Sequence, residues 1–66
     1  MIEIRNLQKY PVQLIIRSRK APNSFTVLNI PGIGKEKNKF LLEDERSTVY
    51  IERAEAAGLI ATKVLN

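Results

Sequence analysis

The amino-acid sequence predicts an α+β fold: a small, mostly antiparallel β-sheet or partly open barrel, with one short helix in the C-terminal half. Three observations predict it. Val12-Gln13-Leu14-Ile15-Ile16-Arg17 places Val12, Leu14 and Ile16 on one face at the period of a strand, and Phe25-Thr26-Val27-Leu28-Asn29-Ile30 is rich in β-branched and aromatic residues. Proline and glycine punctuate the spaces between such runs. Residues 43 to 58 combine an acidic start, a stripe of Tyr50, Ile51, Ala54 and Ala57 at helical spacing, and Gly58 at the stop.

In chain order, Met1 to Arg5 alternates apolar and charged residues and reads as a first strand. Asn6 and Lys9-Tyr10-Pro11 supply a turn, because proline fixes its own φ and drives the preceding residue toward extended geometry, so a hairpin of residues 1–5 with residues 12–17 is expected. Ser18 to Ser24 is a polar, proline-broken basic loop, and Phe25 to Ile30 a third strand. Pro31-Gly32 fits the two central positions of a type II turn, whose second requires positive φ. Gly34 to Lys39 forms a lysine-rich tip, after which Phe40-Leu41-Leu42 re-enters the sheet. Asp44 or Ser47 can cap the helix, and Glu43, Asp44 and Glu45 complement its positive end. Leu59 to Leu65 closes as a strand with apolar residues on both faces, Leu59, Ala61 and Leu65 against Ile60 and Val64, and such a strand needs two covers.

Sixty-six residues form one domain, 1–66, that buries only about 60% of the surface its unfolded chain exposes. Help from a disulfide or a metal is closed off, because the chain has no cysteine and no histidine. Assembly with copies of itself or with a larger body is the remaining route to stability. No apolar run approaches the roughly 20 residues that span a bilayer, and Met1-Ile2-Glu3-Ile4-Arg5 lacks the order of a signal peptide, so a soluble product made in the cytoplasm is expected. The net charge of +4 is uneven: residues 1–39 carry +6 and residues 40–66 carry −2. That polarity suits nucleic acid, and equally suits the basic part of one subunit against the acidic part of the next.

Motifs narrow the function by exclusion. Ile30-Pro31-Gly32-Ile33-Gly34-Lys35 resembles the hairpin of helix-hairpin-helix DNA-binding proteins. That resemblance implies phosphate contacts at Gly32 and Gly34, with Lys35, Lys37 and Lys39 adding cations, although Asn38 stands where the family has a small alanine. Arg17, Arg19 and Lys20 form a second basic cluster able to meet phosphates, so a nucleic-acid site would draw on Arg17, Arg19, Lys20, Gly32, Gly34, Lys35 and Lys37. The same glycines do not make an ATP-binding loop, since Glu36 follows Lys35 where a serine or threonine is required. Glu43, Asp44 and Glu45 point in different directions on a helix and do not converge on one ion. Without histidine or cysteine, and with its hydroxyls remote from a base, the chain is expected to be no enzyme and to use no cofactor.

The early hairpin, the proline-glycine turn, Leu42-Glu43-Asp44-Glu45-Arg46 and Ala57-Gly58-Leu59-Ile60 together resemble the small structural proteins of tailed bacteriophages. The resemblance implies a virion component, such as a head-tail connector, neck, collar or capsid-associated subunit, whose partners are copies of itself or other virion proteins. The expected subunit contacts are Val12, Leu14 and Ile16 on an exposed strand face, with Lys35, Lys37 and Lys39 meeting an acidic neighbour such as Glu43, Asp44 and Glu45.

Overall fold

A computed structural model describes residues 1–21, 23–34 and 38–65. Five strands, β1 (Ile2–Asn6), β2 (Val12–Arg17), β3 (Phe25–Ile30), β4 (Lys39–Leu42) and β5 (Ile60–Val64), form two antiparallel sheets that do not close into a barrel. Between β4 and β5 lie a 3-10 turn, Asp44–Arg46, and α1 (Val49–Ala56), the one α-helix among the described residues. The first sheet has the order β4-β1-β5, and the second is the β2-β3 hairpin. The predicted α+β class holds.

The expected hairpin of β1 with β2 does not form. β1 pairs with β4 (Ile4 opposite Phe40) and with β5 (Ile4 opposite Thr62), while β2 pairs with β3 (Leu14 opposite Leu28). The reason is the buried stripes. Val12, Leu14, Ile16, Leu28 and Ile30 need a cover, and they find it in Ile4, Leu42 and Ile60 of the other sheet, with Ile51 and Ala54 of α1. Pairing β1 with β2 edge to edge would leave both stripes on one sheet with nothing opposite.

The crossing between the sheets is held by Asn6, the one buried polar side chain among the described residues. Its Nδ2 donates to the carbonyls of Tyr10 (2.8 Å), Ile30 (3.0 Å) and Pro31 (3.2 Å), and its Oδ1 accepts from the Gln8 N–H at 2.7 Å. One amide thus ties the end of β1 to the end of β3. Gly32 packs into the same junction. It has no positive φ, so the expected type II turn is absent. A Cβ at Gly32 would stand 2.6 Å from the Lys9 carbonyl carbon and oxygen and 2.8 Å from the Tyr10 nitrogen, so close backbone approach is what requires glycine there.

Neither Asp44 nor Ser47 caps α1: the N-cap residue is Thr48, whose hydroxyl donates to the Ile15 carbonyl (2.6 Å) instead of closing on the helix. Of the expected stripe, Ile51 and Ala54 are buried, whereas Tyr50 is exposed against Arg53 and Ala57 lies outside the helix. Gly58 does terminate the helix region, at φ +79°. On β5 the face of Ile60 and Val64 is buried at Ile60 and exposed at Val64, and on the other face Leu59, Ala61 and Leu65 are half-buried, so each face is covered only in part.

Candidate functional site

Val12, Leu14 and Ile16, expected on an exposed contact face, are 5%, 4% and 2% exposed and form the core. The alternation has the expected period, with the opposite side turned to solvent. Subunit contact through these three would require opening the domain.

The opposite face of the same hairpin is the exposed one. Cross-strand neighbours there are Gln13 with Asn29, Ile15 with Val27, and Arg17 with Phe25. Phe25 and Val27 are 56% and 55% exposed and Ile15 is 37% exposed, so three apolar side chains sit together in water. Arg17 places its guanidinium 5.5 Å from the Phe25 ring centroid. Periodicity defines this face as the complement of the stripe Val12, Leu14, Ile16, but not which of the two meets solvent.

Two of the three acidic residues expected to meet a neighbour's lysines, Glu43 and Asp44, have partners within the chain. Glu43 takes Arg19 at 2.7 Å on one oxygen and Arg46 at 3.1 Å on the other. The hydrogen bond from Arg46, aided by the chain's own backbone and by Arg19, holds the Glu43 carboxyl below its ordinary value despite an opposing effect of burial. Asp44 pairs with the N-terminal amine at 3.0 Å. Glu45 lines, with Arg17, Ser18, Arg19, Glu43 and Arg46, an open groove of about 320 Å³. An anion entering that groove competes with Glu43 for both guanidinium groups. Lys39 is exposed on β4, and Lys20 is exposed beyond Arg19. Lys35 and Lys37 lie outside the described residues.

Gly32 is buried against the Lys9-Tyr10 backbone, which leaves no room for a phosphate beside it. Gly34 has φ +97° and open space around it. Strand β3 precedes the turn and β4 begins at Lys39, so the helix that opens a helix-hairpin-helix motif is replaced by a strand. The resemblance stops at the sequence of the turn.

The four sheet edges differ in how they are finished, and this no single stretch of sequence reveals. On β2 the outward carbonyls of Ile15 and Arg17 accept from Thr48 Oγ1 and from Arg46 Nε (2.9 Å). On β5 the outward N–H of Thr62 donates to Glu55 Oε2 at 3.2 Å, and the Thr62 hydroxyl bonds to the same oxygen. β4 is only four residues long and carries Lys39. β3 is six residues long and carries neither charge nor proline. Its phase follows from the bond between the Ser18 N–H and the Ser24 carbonyl (2.9 Å), which continues the β2-β3 ladder. In that phase Thr26, Leu28 and Ile30 bond to β2, whereas the backbone groups of Phe25, Val27 and Asn29 point away from it.

Among the described residues no helix is long and apolar enough to cross a membrane, and no group of three or more acidic residues is placed to hold a metal. No protein-family model, curated protein or solved structure matches the chain.

Proposed function

We propose that the chain is a non-enzymatic structural or assembly subunit, a virion component of a tailed bacteriophage of the connector, neck, collar or capsid-associated kind, made in the host cytoplasm and acting through protein-protein contacts. The observation that carries the assembly part is the exposed apolar group of Phe25, Val27 and Ile15 beside the unfinished β3 edge. A finished surface would cover or charge such an edge, as the molecule does at β2, β4 and β5. The virion part draws its support from the phage resemblance of the sequence. The test is mass spectrometry of purified phage particles from an infected culture, beside the native mass of the purified chain. Recovery at a fixed ratio to the major capsid protein is expected; recovery only as free monomer overturns the reading.

A second reading, binding of single-stranded nucleic acid, is favoured by the Arg17 and Phe25 pair, an exposed ring with a cation over it and Arg19 and Lys20 close in sequence. Stacking rings with flanking cations are the usual means of gripping unpaired bases. Fluorescence anisotropy with a labelled oligonucleotide decides it. Binding that weakens steeply with salt and is lost in Phe25→Ala supports this reading, and no binding at low salt removes it.

A further inference from the structure

We infer that β3 is the self-association edge, and that two copies pair their β3 strands antiparallel about a two-fold axis at Val27 into one four-stranded sheet, β2-β3-β3-β2. This inference rests on the assembly reading and names its first partner as a second copy of this chain.

The geometry is self-complementary. The outward backbone groups belong to Phe25, Val27 and Asn29, so a two-fold axis at Val27 sets Val27 opposite itself and Phe25 opposite Asn29 of the other copy. Each pair can exchange two N–H···O bonds, with none of the four strands shifted in register. The side chains of Phe25 and Val27 then continue a shared outer face with Ile15 of both copies. Gln13 and Asn29 give that face a polar border.

Charge selects the antiparallel direction. Arg17, Arg19 and Lys20 lie at the Phe25 end of the hairpin, where Glu43 pairs with Arg19, while the Ile30 end presents Gln13 and Asn29 and has Lys9 beside it. Antiparallel pairing separates the two basic ends by about 20 Å, the length of a six-residue strand, well beyond a Debye length of about 8 Å at physiological salt. Parallel pairing would set both basic ends side by side.

The contact is one strand edge and the exposed side chains of Phe25, Val27 and Ile15 per copy, so a reversible dimer is expected, not an obligate one.

The test is sedimentation equilibrium of the full chain from about 1 μM to about 1 mM, with far-UV circular dichroism as the folding check. Val27→Pro removes an outward N–H without taking a bond from the β2-β3 ladder. Because the axis doubles every change, it costs two hydrogen bonds and weakens association by about thirtyfold. Val27→Lys, which retains the N–H, keeps the inference testable should the proline variant fail to fold; it sets two like charges together and also yields monomer. Leu41→Lys, an exposed apolar residue on β4, leaves the association unchanged. A wild-type mass that rises from 7.5 kDa toward twice that value, with the rise displaced to about thirtyfold higher concentration in folded Val27→Pro and absent in folded Val27→Lys, supports the inference. A wild-type monomer at every concentration overturns it, and so does association that neither Val27 variant weakens. In the latter case the assembly reading stands and the contact lies elsewhere. A chain found in purified particles yet monomeric when alone likewise separates the two.

Discussion

Asn6→Leu removes a side chain that holds the two sheets together while keeping nearly its volume. The native amide donates to the carbonyls of Tyr10, Ile30 and Pro31 and accepts from the Gln8 N–H. Two hydrogens serve the three carbonyls, so the loss amounts to about three hydrogen bonds at about 1 kcal/mol net each, or about 3 kcal/mol. Only the bond to Ile30 is fully buried, so water can partly re-satisfy the others. This keeps the total from rising further. Small domains hold about 0.05–0.15 kcal/mol per residue, which for this chain is about 3–10 kcal/mol, so the variant forfeits a third or more of its stability. With a urea m-value of about 1 kcal/mol/M, the unfolding midpoint followed by far-UV circular dichroism should fall by about 3 M, or the variant should be unfolded without denaturant. Asn6→Asp separates polar loss from misfit. It keeps the shape and the acceptor for Gln8 but points a carboxylate at three carbonyl oxygens, so it should destabilise at least as much as Asn6→Leu. A midpoint shift below about 0.5 M for Asn6→Leu, or a markedly milder effect of Asn6→Asp, would refute the role given to this amide.

Gly32→Ala should unfold the domain or cost more than about 3 kcal/mol, because the contacts at 2.6–2.8 Å are all with the Lys9-Tyr10 backbone; Gly58→Ala, at φ +79° with open space around it, should cost only about 1–2 kcal/mol, and parallel urea titrations would show the order. Leu14→Ala, at a core position, should lower stability by about 2–5 kcal/mol, whereas a loss of self-association with stability intact would return Leu14 to the surface. Glu43 has a folded-state value below its ordinary 4.5, so its stabilising effect is present above that pH and is lost as pH falls through the folded value. The stability gap between wild type and Glu43→Gln should accordingly be constant near neutrality and close in acid, as thermal unfolding from pH 7 to pH 2 would reveal.

Local chemistry in this chain is legible in proportion to how little of it depends on distant partners. The strand period of Val12, Leu14 and Ile16 and the glycine stop at Gly58 follow from side-chain alternation and backbone freedom, and both are found in the structure. Which side of β2 meets the core is set by a second sheet whose strands come from residues 2–6, 39–42 and 60–64, and alternation within β2 carries no word of it. Pro31-Gly32 failed for a related reason. The dipeptide is compatible with a type II turn, but the backbone of residues 9 and 10 occupies the space beside Gly32, a contact across 22 to 23 positions. Capping failed because Thr48 spends its hydroxyl on the Ile15 carbonyl, finishing a strand edge instead of a helix end. The β3 edge was illegible altogether. It is defined by the absence of charge and proline in a strand whose exposure depends on how the other three edges are finished.

Residue-resolved amide hydrogen exchange at low and high protein concentration reads the β3 edge directly. Pairing of two copies predicts that the Val27 and Asn29 amides exchange freely when the chain is dilute and slow together as it is concentrated, while Thr26 and Leu28, bonded to β2, are protected throughout. Val27 and Asn29 amides that exchange at the same unprotected rate at every concentration would contradict it.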